Sequence, residues 1–283
     1  MSSRYTHPPD QTQIWNGPAG RAWVEAQNVL DDMFSEIAGY LAQQAVQLGA
    51  RRVLDVGCGA GATTLQIAEA TGECLGVDIS APLIEQARQR AARSGVAAKF
   101  VQDDAQTHWF EQARFDLVTS RFGVMFFKDP AAAFVNLLGA TRPGGAMRLV
   151  VWRSARENGF LTAAERAAEH MLPELNRRQD GAVGPFAFAD PDAVRPLLAH
   201  AGWRTITFEP VDFPACFAAS ALELYMTRLG AVGLVYQELE PALQTALLDC
   251  LRQAYAPYVV EDRICFTASC WVISAEAPES ACS

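Results

Sequence analysis

The chain has 283 residues, 50% of them hydrophobic and 19% charged, with 23 Lys and Arg against 32 Asp and Glu and a formal net charge of −9. That is too apolar for a disordered chain, and the length suffices for one large domain or a domain with a cap. A net-negative chain with only two lysines, Lys99 and Lys128, lacks the field that displaces counterions from phosphates, so nucleic acid is not an expected partner.

Residues 1–13 are polar and proline-bearing and read as a mobile arm. They have no apolar segment behind a basic one, so no secretory signal is expected. From Gly20 to Gly49, the positions Trp23, Leu30, Phe34, Ile37, Leu41 and Leu48 recur at helical spacing and predict a helical cover before the first strand. Short apolar runs then alternate with helical stretches. Strands are predicted over 52–56, 74–79, 99–102, 115–120 and 146–152, and helices over 62–70, 82–93 and 130–141. This rhythm means parallel βαβ units in an open α/β sheet, whose ligand loops lie at the carboxyl ends of the strands.

After Trp152 the rhythm lapses. A lid insertion over 153–189 holds one predicted helix at 161–171 and a Gly/Pro-rich stretch ending at Gly184-Pro185. The α/β pattern resumes with a helix over 190–201, with Asp190 as cap and Pro191 at the first position, and a strand over 205–209. A second insertion at about 211–260, helical over 219–256, precedes a last strand over 264–274. The segments expected are therefore an arm and cover (1–48), an α/β core (49–152), a lid (153–189), and a completion of the core carrying the second insertion (190–283).

The seven cysteines, at 58, 74, 216, 250, 265, 270 and 282, show no CxxC pair and no metal-ligand spacing. They read as free, buried small hydrophobes of a reducing cytosol, and no metal site is expected. No stretch approaches the roughly 20 apolar residues of a membrane span. The expected protein is cytoplasmic, without membrane or nucleic-acid partners, a monomer or homodimer.

The sharpest motif is Val53-Leu-Asp-Val-Gly-Cys-Gly-Ala-Gly61. A strand runs into a glycine turn and a helix follows, so backbone can approach a ligand closely. Gly57, Gly59 and Ala62 also satisfy the dinucleotide pattern, which keeps an NAD(P)-dependent oxidoreductase as an alternative. Asp55 argues against it, because a carboxylate two residues before the first glycine opposes a pyrophosphate and suits a cationic ligand. Asp78 ends the second strand 21 residues after Gly57, where a carboxylate can accept both ribose hydroxyls.

With Asp55-x-Gly57-x-Gly59-x-Gly61, Asp78, Asp104-Ala105 and Arg142-Pro-Gly-Gly145 in this order, the sequence resembles the class I S-adenosylmethionine-dependent methyltransferases, in particular the group related to ubiquinone and menaquinone biosynthesis. The resemblance covers about residues 15–152. It implies a Rossmann-like seven-stranded, mostly parallel sheet with helices on both faces and the last strand antiparallel. It further implies S-adenosylmethionine as cofactor and methyl transfer to a small-molecule acceptor. By position, Gly57, Cys58 and Gly59, with Gly61 closing the loop, would offer backbone to the methionine and ribose. Asp55 would hold the ammonium directly or through water, Asp78 the ribose, Ile79 an adenine face, and Asp104 with the Ala105 amide the adenine edge, Asp103 being an ambiguity beside Asp104. Ser120, Arg121 and Phe122 follow the fourth strand, where cofactor and acceptor meet in this family. A non-catalytic relative that keeps the cofactor site remains a further alternative.

In-line displacement at a sulfonium needs positioning more than a base, so no catalytic residue is assigned. His108 lies nearest, at the adenine end, while His7, His170 and His200 read as ordinary histidines. Trp15, Trp23, Phe122, Phe126, Phe127 and Trp152 form an aromatic set near the strand ends, of which Trp15, Trp23, Phe122, Phe126 and Trp152 are the candidates for the acceptor pocket. Arg121 is expected either to pair with a cofactor or core carboxylate, for instance Asp55, or to meet an anionic group of the acceptor. Arg153, Arg156, Arg177 and Arg178 read as solvated, and would favour an anionic acceptor if turned inward.

Overall fold

A computed structural model describes residues 10–175 and 182–279. The cover comprises α1 (Gln11–Asn16), α2 (Pro18–Glu25), α3 (Gln27–Met33) and α4 (Ser35–Gln47). The core runs β1 (Arg52–Val56), α5 (Ala62–Thr71), β2 (Glu73–Asp78), α6 (Ala81–Ser94), β3 (Ala98–Gln102), β4 (Phe115–Arg121), α7 (Pro130–Ala140) and β5 (Thr141–Trp152). There follow α8 (Ala163–Ala168), α9 (Pro191–His200), β6 (Arg204–Ala218), α10 (Leu222–Arg228), α11 (Gly230–Tyr236), α12 (Pro241–Tyr255), β7 (Val259–Val260) and β8 (Arg263–Glu276).

The sheet order is β3-β2-β1-β4-β5-β8-β6. The first five are parallel, and β8 lies antiparallel between β5 and β6. The seven-stranded Rossmann-like expectation holds on this path, with the two-residue β7 added beside β8. Continuous apolar runs explain the central strands: Val53 to Val56 are all buried, as a strand covered on both faces requires. Because the order reverses between β1 and β4, a crevice opens at their carboxyl ends.

Capping chemistry sets the helix starts. Asp129 and Asp190 accept from the backbone amides of Ala132 and Asp192, with Pro130 and Pro191 at the first helical positions. At the amino end, residues 1–9 lie outside the described residues. The expected arm ends sooner than predicted, since Asp10 caps α1. The cover is four short helices, and its first turn is tied to the loop after β2. Asn16 Nδ2 donates to the Ile79 carbonyl (3.0 Å), Asn16 Oδ1 accepts from the Ala81 amide (2.8 Å), and Ser80 Oγ donates to the Trp15 carbonyl (2.6 Å).

Three readings need correction. The predicted helix over 161–171 is confined to α8. Strand β6 continues to Ala218, so residues 211–218 are sheet and the helical insertion begins at 219. Pro210 and Pro214 are accommodated because β6 is the sheet edge, where a missing N–H is tolerated. Phe213, Ala215 and Phe217 alternate inward along it. Finally, the cysteines are not all free. Cys216 and Cys265 face each other across β6 and β8 and are bonded at 2.13 Å. Cys58, Cys74 and Cys270 are free and buried, Cys250 is free and partly exposed, and Cys282 lies outside the described residues.

Candidate functional site

Gly57, Gly59 and Gly61 all have positive φ, at 68°, 54° and 82°. They serve different ends. A Cβ on Gly57 would stand 2.5 Å from Gly123 Cα, so two loop backbones pass in contact there. A Cβ on Gly59 would meet nothing within 4 Å and would project into open space. A Cβ on Gly61 would stand 2.9 Å from the ring of Phe100, so this glycine serves packing and does not line the cleft. The amides of Gly57 and Cys58 donate to the Val77 carbonyl (2.8 and 3.1 Å), which leans the loop on β2. Cys58 itself is buried, its thiol pushed well up by burial, and it offers no nucleophile.

The cleft above this loop encloses about 110 Å³. It gathers Gly57, Gly59, Asp78, Ile79, Asp103, Asp104, Ala105 and Arg121 with Trp15, Trp23, Phe122, Phe126 and Phe127. Asp78 accepts from the Gly59 amide (2.8 Å) and the Ser80 amide (2.9 Å). Burial raises its pKa, and these amides counter part of the rise. Asp104 receives the Gln106 side-chain amide on both oxygens, at 3.0 and 2.9 Å. Asp103 binds His108 Nδ1 at 2.7 Å, which holds its carboxyl below the ordinary value. His108 packs edge-on against Phe110 and does not line the cleft. His170 and His200 are exposed, as is Arg156, and Arg153 pairs with Glu157 and Asp212. His7, Arg177 and Arg178 lie outside the described residues. Sequence reasoning missed Gln11 and Gln106 on the cleft wall, and Asn136, whose amide holds the carbonyls of Ala105 and His108.

Asp55 differs from its expected placement. It sits beneath the loop, almost fully buried and off the cleft wall, accepting from Thr64 Oγ1 at 2.6 Å. Burial pushes its pKa up to about 6 from the ordinary 3.8. The folded state therefore binds more protons than the unfolded state between about pH 4 and 6. Stability falls as pH rises through that window and stays lower above it. Asp55→Asn is expected to abolish this component, so the stability of variant minus parent rises by about 2–3 kcal/mol from pH 4 to pH 8 in urea denaturation.

Arg121, at the end of β4, lies on the cleft wall with only part of it reaching solvent. The expected pairing with Asp55 is absent: among the described residues no carboxylate forms an ion pair with it. Its guanidinium makes a long contact to the Phe34 carbonyl (3.4 Å) and sits 5.3 Å from the Phe34 ring centre. Burial lowers its pKa, and Asp31 and Asp55 raise it from a distance. Ser120 is wholly buried, its hydroxyl donating to the Val56 carbonyl (2.7 Å) and accepting from the Gly123 amide (3.1 Å). This turn holds Phe122 at φ 64°, an uncommon value for a side-chain-bearing residue.

That backbone stacks Phe122 on Trp152, with centroids 4.1 Å apart and planes 4° apart. Trp15 meets Trp23 and Phe126 edge-on at 5.4 and 5.3 Å. Beyond these rings opens a second chamber of about 280 Å³. Trp15, Trp23, Phe122 and Phe126 border both spaces, whereas Trp152 borders only the chamber. Its far wall is Tyr225, Arg228, Leu229 and Leu234 of the second insertion, residues with no motif to announce them. Among the described residues no His, Cys, Asp and Glu cluster suits a metal ion, and no helix is long and apolar enough to cross a membrane.

A cleft with open space over Gly59, a carboxylate at the end of β2 and, at the end of β4, a guanidinium without a carboxylate partner among the described residues fits a nucleoside that carries an amino-acid tail. A family profile described as a methyltransferase domain matches residues 53–145. The chain is 27% identical over 179 residues to a demethylmenaquinone methyltransferase of Thermus thermophilus, covering 60% of this chain and 81% of that one. It is 32% identical over 156 residues to an uncharacterized methyltransferase of Mycobacterium bovis, covering 55% and 78%. In fold it is similar to the YcgJ protein of Bacillus subtilis, with a TM-score of 0.55 at 18% identity over 86% of this chain and 98% of that one. It is also similar to Haemonchus contortus phosphoethanolamine N-methyltransferase 2 in complex with S-adenosylmethionine, with a TM-score of 0.52 at 18% identity over 85% and 53%. The chain belongs to the class I methyltransferases that use S-adenosylmethionine as cofactor.

Proposed function

We propose that this enzyme methylates a small, largely apolar acceptor held in the aromatic chamber, by in-line displacement across the ring wall that the chamber shares with the cleft. The observation that carries this reading is that Trp15, Trp23, Phe122 and Phe126 border both the cleft and the chamber. S-Adenosylmethionine supplies an activated methyl group on a sulfonium. For its part, the chain binds, orients and excludes water. Asp78 receives the ribose hydroxyls and Ile79 packs on the adenine. Asp104 and Ala105 take the adenine edge, and Gly57 and Gly59 admit the chain of the methionine. Arg121 receives the methionine carboxylate. Ring faces beside the transfer point attract a sulfonium while keeping water away. Positioning of this kind contributes about 7–11 kcal/mol to such a displacement. The cover and the two insertions give the chamber its shape.

The test is calorimetric titration with S-adenosylmethionine, S-adenosylhomocysteine and NAD, followed by a methylation assay over small aromatic and aliphatic acceptors. Binding of the first two with release of S-adenosylhomocysteine on acceptor addition is expected. Turnover only of polar acceptors too large for the chamber would refute the acceptor assignment.

A further inference from the structure

The chamber's volume of about 280 Å³ is close to twice the roughly 150 Å³ that takes one benzene ring. Among the described residues on its wall there is no Asp, Glu, His, Lys or Cys. Its polar side chains are tryptophan indoles, which only donate, the Tyr225 hydroxyl, and the Arg228 guanidinium. The carboxylate tied to this wall, Glu25, is engaged by Arg228 Nε at 2.9 Å and stands half in solvent. A nucleophile that had to shed a proton here would find no carboxylate, imidazole, amine or thiol among the described residues of this wall to receive it. A neutral amine would leave an ammonium among hydrocarbon and ring carbon.

Resting on the chamber as the acceptor site, we propose that the acceptor enters already deprotonated: a mostly apolar molecule of about two rings whose nucleophile is an ionised acidic hydroxyl or thiol. Its anionic atom forms a bond to the methyl carbon as the carbon–sulfur bond breaks and that electron pair returns to sulfur. Anion and sulfonium become a neutral methyl ether or thioether and a neutral thioether, and no proton moves. Apolar walls favour this step, because they solvate charge poorly and the reaction disperses and then removes both charges. The same walls penalise an anion entering alone. Acceptor binding is therefore conditional on the sulfonium, and Arg228 supplies positive charge along the approach.

The test uses the full chain with size-matched probes: 2-naphthol, nitro-substituted 2-naphthols of graded acidity, 2-naphthalenethiol and 2-naphthylamine. Calorimetry compares each probe on the complex with sinefungin, which carries an ammonium in place of the sulfonium, and on the complex with uncharged-sulfur S-adenosylhomocysteine. Ionised naphthols and the thiolate are expected to bind at least about tenfold tighter to the sinefungin complex, a shift of about 1.4 kcal/mol, and the amine is not. In turnover, the pH inflection of kcat/KM should move with the acidity of each probe. An inflection fixed at one pH for all probes would reveal a protein base and overturn the proposal. Methylation of 2-naphthylamine as efficient as that of the ionised probes would overturn it too, as would failure of every ionised probe to bind a cofactor-loaded enzyme. If S-adenosylmethionine itself does not bind, the functional reading falls with it.

Discussion

Asp78→Ala is expected to weaken S-adenosylmethionine binding by about a hundredfold or more. The carboxylate stands at the end of β2 on the cleft wall, where it receives two ribose hydroxyls in the proposed complex. Each hydrogen bond to a charged group contributes roughly 1.5–3 kcal/mol, and about 1.4 kcal/mol corresponds to a tenfold change in affinity. The same carboxylate accepts from Gly59 and Ser80, so alanine also frees the glycine loop, and the two effects must be separated. Asp78→Asn keeps a shape and one acceptor oxygen for the amides but loses the charge, and is expected to fall between parent and alanine. Calorimetry should show equal losses for S-adenosylmethionine and S-adenosylhomocysteine, since both carry the ribose. A loss confined to the sulfonium form would place Asp78 at the methyl rather than at the sugar.

Features set by local backbone demands were legible in the sequence. Gly57, Gly59 and Asp78 are dictated by a turn that needs positive φ and by a strand end that presents a carboxylate, and both are written within a few residues. Asp55 was legible as a position but not as a direction. Its strand alternation and its hydrogen bond with Thr64 turn it under the loop, which a spacing argument does not resolve. The extension of β6 was not legible, because a segment carrying Pro210 and Pro214 pairs as a strand only at a sheet edge, and which strand is an edge is a property of the whole sheet. The Cys216–Cys265 pair, 49 residues apart, depends on the antiparallel register of β6 and β8 in the same way. Most of the chamber wall was illegible for a different reason. Tyr225 and Leu234 lie on short helices and Leu229 between them, and only tertiary packing decides whether such residues face a cavity or a core.

Arg121→Met is expected to move stability and affinity in opposite directions. In the unliganded chain the guanidinium gives up hydration without a carboxylate partner among the described residues, and its pKa is lowered for that reason. A thioether of similar length fills the space without that desolvation cost, so the unliganded variant should melt no lower than the parent. Cofactor binding tells the other half. If the methionine carboxylate closes on Arg121, the charge-assisted contact is worth roughly 1.5–3 kcal/mol, and its loss weakens S-adenosylmethionine by about 10- to 100-fold. 5′-Methylthioadenosine, which has the nucleoside and sulfur but no amino-acid tail, should bind parent and variant alike. Arg121→Lys keeps the charge but not the planar fork and should recover only part of the affinity. Equal loss for methylthioadenosine would mean that Arg121 shapes the cleft through Phe34, over whose ring it lies, rather than meeting the carboxylate. The split between ligands with and without the tail thus decides whether the unpaired cation at the end of β4 is part of the packing or the anchor for the far end of the cofactor.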